Sequence, residues 1–184
     1  MPLAEYAAEH WIDHAKSGGM DSSVLNLILH FFTSESAALK NWIRIHNIDG
    51  WRWWEFRNLS MNGDEVCSAL YYSSLPGMEE VLHCLLQKGG NANVKGGRYG
   101  NPLQAASCEG YEAIVKLLLK NGAEVNAEGG KYGNALQAAS AAVHSGNETI
   151  VKLLLENGAE VHASGKCKLS YRSYIKPVRP CKTL

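Results

Sequence analysis

Apolar and polar positions recur with a helical period along much of the chain. Leu3, Tyr6, Ala7, His10, Trp11 and His14 follow one another at spacings of three and four, which predicts a helix over about 3–16. Gly18-Gly19 breaks it, and Asp21 to Ser23 offers N-caps for a second helix over about 23–32. A third starts at Ser34 or Ser36, with Leu39, Trp42, Ile43 and His46 on one face. Asn47 to Gly50 reads as a turn, and the pattern assigns no element to the segment holding Trp51, Trp53 and Trp54. Further on, Asn101 is a good N-cap and Pro102 suits a first helical position, where its missing N–H leaves no donor orphaned. Gly110 ends that helix. The next, over about 112–120, carries Ala113, Ile114, Val115, Leu117, Leu118 and Leu119 and is apolar on nearly every side, so it must be sandwiched between neighbours. Asn121-Gly122 stops it, glycine being able to take the left-handed conformation.

These elements return. Gly96-Gly97-Arg98-Tyr99-Gly100-Asn101-Pro102-Leu103-Gln104-Ala105-Ala106-Ser107 comes back as Gly129-Gly130-Lys131-Tyr132-Gly133-Asn134-Ala135-Leu136-Gln137-Ala138-Ala139-Ser140, at an offset of 33. Ile114 to Leu119 returns as Ile150 to Leu155 at an offset of 36, so three residues are inserted between Ser140 and Ile150. Three residues are nearly one helical turn, so the insert can lengthen a helix without turning its face far. A weaker copy precedes these: Leu70, Ser74, Gly77, Val81, Leu85, Leu86, Gly89 and Asn93 sit 33 before their counterparts. Three units follow, 68–95, 96–128 and 129–164.

A unit of 33 residues with an N-P-L start, an A-A pair, a V-x-L-L-L helix and an N-G-A-x-V-N-A end resembles the ankyrin repeat. Asn101 stands where that family usually has Thr, and Gln104 where it has His; both substitutes can cap or hydrogen-bond. The G-G-x-Y-G-N-x-L-Q-A-A-S wording is similar to ankyrin arrays of filamentous fungi. The run Leu3 to Ala15, with Leu70-Tyr71-Tyr72 opening the repeats, is similar to fungal NACHT–ankyrin, NLR-like proteins, in which a helical linker joins a nucleotide switch to the array. Such a switch needs G-x-x-x-x-G-K-[S/T], whose backbone N–H groups cradle phosphates. No such motif occurs: Gly165-Lys166 is followed by Cys167 and Gly130-Lys131 by Tyr132.

Composition sharpens this. Apolar residues make up 46% and charged residues 20%, with 18 of each sign, which argues against an intrinsically disordered chain. With 184 residues there is little room for a large α/β enzyme. All five Trp lie in the first 54 residues, while fourteen of the eighteen Gly lie between Gly77 and Gly165, so two architectures share the chain. The longest apolar stretch, Val24 to Phe32, is interrupted by Asn26 and His30 and is shorter than the roughly 20 residues of a spanning helix. Glu5, Glu9 and Asp13 speak against a signal peptide, so a cytoplasmic address is expected, with the nucleus as the alternative.

Candidate chemistry is sparse. Five cysteines, at 67, 84, 108, 167 and 181, form no C-x-x-C pair and are expected as free, buried thiols. His10 and His14 lie one turn apart, but two imidazoles are not a metal site. No nucleophile elbow or active-site cysteine signature occurs. Asn58-Leu59-Ser60 and Asn147-Glu148-Thr149 are glycosylation acceptors by pattern only. Lys166, Lys168, Arg172, Lys176, Arg179 and Lys182 give the last residues a charge of +6 without one acid, leaving 1–165 at −6. The repeat wording breaks off there, so the tail reads as a disordered, truncated or mis-spliced end.

The expectation is an all-α protein: a helical, aromatic-rich segment over 1–66, a short ankyrin-type solenoid over 67–164, and a basic tail over 165–184. Its function is expected to be non-enzymatic protein–protein interaction, as the recognition or linker part of a fungal NLR-like signalling protein. The alternatives are a regulatory fragment of a nucleotide-switch NTPase and a basic-tail nucleic-acid binder. The resemblance to ankyrin repeats implies contact through the tips and the first-helix face, hence Lys95, Arg98, Tyr99, Cys108, Glu109, Glu128, Lys131 and Tyr132. Another protein is the expected partner, rather than a membrane, a nucleic acid or a small molecule, and no catalytic residue, cofactor or metal is expected. Leu153, Leu154 and Leu155 lie in the last helix with no cap visible after them, which implies marginal stability, or dependence on a partner or on missing repeats.

Overall fold

A computed structural model describes residues 3–33, 39, 41–43, 68–141 and 147–161. Helix α1 spans Leu3–Ser17 and α2 spans Ser22–Thr33. Asp21 starts α2: its Oδ1 accepts from the backbone N–H groups of Ser23 (2.9 Å) and Val24 (2.8 Å). Residues 39 and 41–43 are helical, with Leu39, Trp42 and Ile43 buried as their spacing requires. Trp42 and Trp11 knit these helices together. Trp11 meets Phe31 edge-on at 5.5 Å and Trp42 at 5.7 Å, and Trp42 meets Phe31 and Phe32 at 6.0 and 6.3 Å. Each such pair adds about 0.5–1.5 kcal/mol beyond its buried area. His46, the turn at 47–50, Trp51, Trp53, Trp54, the sequon at Asn58, the insert and the basic tail lie outside the described residues.

Three helix pairs follow: α3 (Ala69–Ser74) with α4 (Glu79–Gln87), α5 (Pro102–Glu109) with α6 (Glu112–Lys120), and α7 (Ala135–Ala141) with α8 (Asn147–Glu156). The first helix of each pair is capped at one repeated position. Ser68 Oγ accepts from Tyr71 N–H at 3.4 Å, Asn101 Oδ1 from Gln104 N–H at 2.8 Å, and Asn134 Oδ1 from Gln137 N–H at 2.8 Å. Gly110, at φ +85°, closes α5 in the left-handed conformation.

Small side chains set how closely the pairs approach. Ala105, Ala106, Ala138 and Ala139 are completely buried, so α5 lies close against α7. The second helices pack in their own row, α6 between α4 and α8, on Ile114, Val115 and Leu118. Their outer face is wet, contrary to the all-round burial that composition suggests: Ala113 is exposed, Leu117 and Leu119 are half-buried, and Lys116 pairs with Glu112. The core is continuous from Ile12 to Leu154. The aromatic helices join it where α2 packs on α4 and where Lys16 donates to the Pro76 carbonyl and lies 5.6 Å from the Tyr111 ring centre. The fold is an all-α repeat solenoid, and among the described residues the only strand-like pairing is two isolated bridges, Gly96 with Gly100 and Gly129 with Gly133.

Candidate interaction surface

Those two bridges close the tips that project between helix pairs. Successive tips lie in direct contact: Lys131 N–H donates to the Arg98 carbonyl at 2.8 Å. The approach is so close that a Cβ on Gly130 would stand 2.0 Å from the Tyr99 carbonyl oxygen and 2.5 Å from the Gly100 nitrogen. The tyrosines carried by the two tips are stacked, ring centres 6.0 Å apart and planes at 15°.

Below the tips, side-chain amides stitch one unit to the next. Gln104, fully buried, donates through Nε2 to the carbonyls of Ala127 (3.0 Å) and Gly133 (3.2 Å) in the following tip. Its Oε1 has no hydrogen-bond partner and rests against Gly100, where a Cβ would be 2.2 Å away. The glycine before the capping asparagine therefore makes room for the glutamine four residues on. Asn93 donates to the Gly122 carbonyl (2.9 Å) and accepts from Glu124 N–H (2.7 Å). Asn126 does the same with Gly158 (2.9 Å) and Glu160 (2.8 Å). Sequence reasoning missed these roles, although the recurrence of Asn and Gln at fixed places in the repeat was their signal.

This frame brings six of the eight expected contact residues together: Arg98, Tyr99, Cys108, Glu109, Lys131 and Tyr132. Tyr99 and Cys108 are buried, so they floor the surface rather than present themselves. Tyr99 N–H donates to the Tyr71 hydroxyl (3.3 Å), and the Tyr99 hydroxyl donates to Glu109 Oε1 (3.0 Å). Arg98 lies 5.8 Å from the Tyr99 ring centre. Lys131 Nζ lies 4.7 Å from that of Tyr132 and donates to its hydroxyl at 3.0 Å. Lys95 and Glu128 are exposed at equivalent places on the two tips.

Electrostatics at this cluster keep its two buried acidic groups protonated. Burial, then the neighbouring Cys108 and Glu109, hold the Tyr99 hydroxyl well above the ordinary tyrosine range. Burial and then Glu109 push the Cys108 thiol up, against the hydroxyls of Tyr132 and Tyr99 and the charge of Lys131. A protonated thiol is a poor nucleophile. Cys84 is free and half-buried. Among the described residues no three His, Cys, Asp or Glu side chains gather as a metal site; His10 is half-buried and His14 exposed. Asn147 of the second sequon is buried, its Nδ2 donating to the Ala139 carbonyl at 2.9 Å. Among the described residues no helix is long and apolar enough to cross a membrane.

A relative named "Azaphilone pigments biosynthesis cluster protein L", from Monascus ruber, is 36% identical over 119 residues, which cover 56% of this chain and 24% of the relative. The chain therefore spans about a quarter of that protein's length. The family model of ankyrin repeats in three copies matches residues 37–129 and 70–165, most of the chain. With the stacked helix pairs and their joined tips, this makes the chain a member of the ankyrin-repeat family.

Proposed function

We propose that this chain is a non-enzymatic protein–protein interaction module whose contact surface is the face built by Lys95, Arg98, Tyr99, Cys108, Glu109, Glu128, Lys131 and Tyr132. The observation that carries the reading is the tip stack. Tyr99 and Tyr132 lock two tips and the first-helix end at Cys108–Glu109 into one rigid patch, so little side-chain entropy remains to be lost on docking. The chain divides in this reading into an aromatic helical segment over 1–66, the repeats over 67–164 and a basic tail over 165–184. The packing of α2 on α4 and the Lys16–Tyr111 contact support a linker that moves with the array, as the recognition part of an NLR-like signalling protein requires. The Monascus ruber relative accords with the fungal wording of the repeats. A cytoplasmic module without cofactor or metal fits the same reading.

A photo-crosslinking amino acid at Lys131 tests the contact surface, with the same group at Lys116 on the outer face of α6 as the control. In the producing cell the Lys131 position is expected to trap one discrete protein, and an excess of unmodified chain to abolish the product. Equal trapping from Lys116 refutes the surface. The NLR-like assignment is tested separately, by sequencing the transcript. A reading frame that joins this segment to a phosphate-loop motif is expected, and a transcript without one overturns the assignment.

A further inference from the structure

We infer that the tip surface recognises an acidic segment of its protein partner, held by Arg98 and Lys131; the inference rests on the interaction-module reading above. Arg98 and Lys131 hold the same place in successive tips, and the bond from Lys131 N–H to the Arg98 carbonyl ties their backbones together. Each cation lies against the ring of the tyrosine that follows it, at 5.8 Å for Arg98 and 4.7 Å for Lys131. Because those rings are themselves stacked, both charges sit on a common rigid platform.

The charge on this platform is net positive. The tips carry Lys95, Arg98 and Lys131 against one tip carboxylate, Glu128. Glu109, at the base, keeps its charge while it accepts from the Tyr99 hydroxyl, which leaves one cation in excess. Among the described residues Lys131 and Lys95 pair with no carboxylate, and Lys131 leans on a phenol instead. A carboxylate arriving at Lys131 exchanges a neutral acceptor for a charged one, which is the stronger hydrogen bond. A single-stranded nucleic acid also carries anions, but it binds proteins by stacking bases on open aromatic faces. Here Tyr99 is buried, stacked on Tyr132, and Lys131 lies against the Tyr132 ring. The platform therefore favours carboxylates carried by a peptide.

The test is a proton–nitrogen correlation titration of the full chain, because the tip glycines report the site directly. Three probes are used: a capped peptide alternating Glu and Gly, the same peptide with Gln for Glu, and a thymidine oligonucleotide. The Glu peptide is expected to shift the amide signals of Gly97 and Gly130 saturably and to leave those of Gly122 and Gly158 in place. The Gln peptide, and the Glu peptide with an Arg98→Gln/Lys131→Gln variant, are expected to bind at least about tenfold more weakly. The variant's own spectrum shows whether it is folded. Shifts confined to signals outside the tips overturn the inference, as do tip shifts equal for the Glu and Gln peptides. So does an oligonucleotide that moves the tip signals more than the Glu peptide. If crosslinking from Lys131 still traps a partner in any of these cases, the interaction surface stands and only the acidic chemistry falls. If both experiments fail, the surface itself is wrong.

Discussion

Replacing Gly130 by Ala is the sharpest perturbation of the tip stack, and Gly122→Ala is its internal control. Both glycines are left-handed, at φ +62° and +81°, so each substitution places an L side chain in that region at about 1–2 kcal/mol. The loss of unfolded-chain freedom is common to both and cancels in the comparison. The surroundings differ. Nothing lies within 4 Å of a Cβ at 122, whereas at 130 the Cβ meets the Tyr99 carbonyl at 2.0 Å. Backbone cannot turn aside as a side chain does, so the two tips must part. Parting stretches the Lys131-to-Arg98 bond of 2.8 Å, worth about 1 kcal/mol. It also loosens the Tyr99–Tyr132 stack, worth about 0.5–1.5 kcal/mol. The totals are about 1–2 kcal/mol for Gly122→Ala and about 2.5–4.5 kcal/mol for Gly130→Ala, or roughly 3–5 °C and roughly 6–12 °C in Tm for a chain of this size. Thermal and urea melts followed by far-ultraviolet circular dichroism measure both, an unchanged urea slope confirming that stability alone has moved. A Gly130→Ala melt no lower than that of Gly122→Ala refutes the argument that joined tips couple the repeats.

Four further outcomes are expected. Asn126→Ala removes both bonds to the following unit and should lower stability by about 1–2 kcal/mol while the Glu160 amide loses exchange protection; Asn121→Ala, which bonds only to Leu117 within its own helix end, should leave that amide protected. Because Tyr99 holds its proton more tightly folded than unfolded, its contribution is complete below the ordinary tyrosine pKa of about 10 and is lost as pH rises beyond it; Tyr99→Phe should flatten that alkaline loss in urea midpoints. Peptide-resolved alkylation at neutral pH should label half-buried Cys84 before Cys108, whose buried thiol stays protonated; the reverse order contradicts the burial and charge described for Cys108. Leu155 (38% exposed) and Val161 (42%) stand open in the last repeat, so the chain should melt below ~65 °C; a cooperative melt above that refutes marginal stability.

Much of the fold was legible because helical periodicity, capping and repetition are local. The N-caps at Asn101 and Asn134, the left-handed Gly110 and the bounds of α6 all sit where the residue pattern puts them. The candidate surface was legible only as a set of residues. That Cys108 and Tyr99 form its floor, with Lys131 and Arg98 above, depends on how far one tip lies from the next. No spacing along the chain encodes that distance. The outer face of α6 misled in the other direction: an apolar count cannot tell the two packed sides of a helix from the third, which stays wet at Ala113.

By itself the sequence determined the unit. A repeat of 33 residues, with its asparagine cap, paired alanines and glycine stops, dictates two short helices and a tip, because each signal acts within a few residues. Tertiary structure alone decided how the units join. Gln104 reaches across to Ala127 and Gly133, Asn126 to Gly158 and Glu160, and Tyr99 onto Tyr132. Those contacts exist only once one unit lies against the next, for the physical reason that a lone helix pair has no second face against which to bury its apolar side.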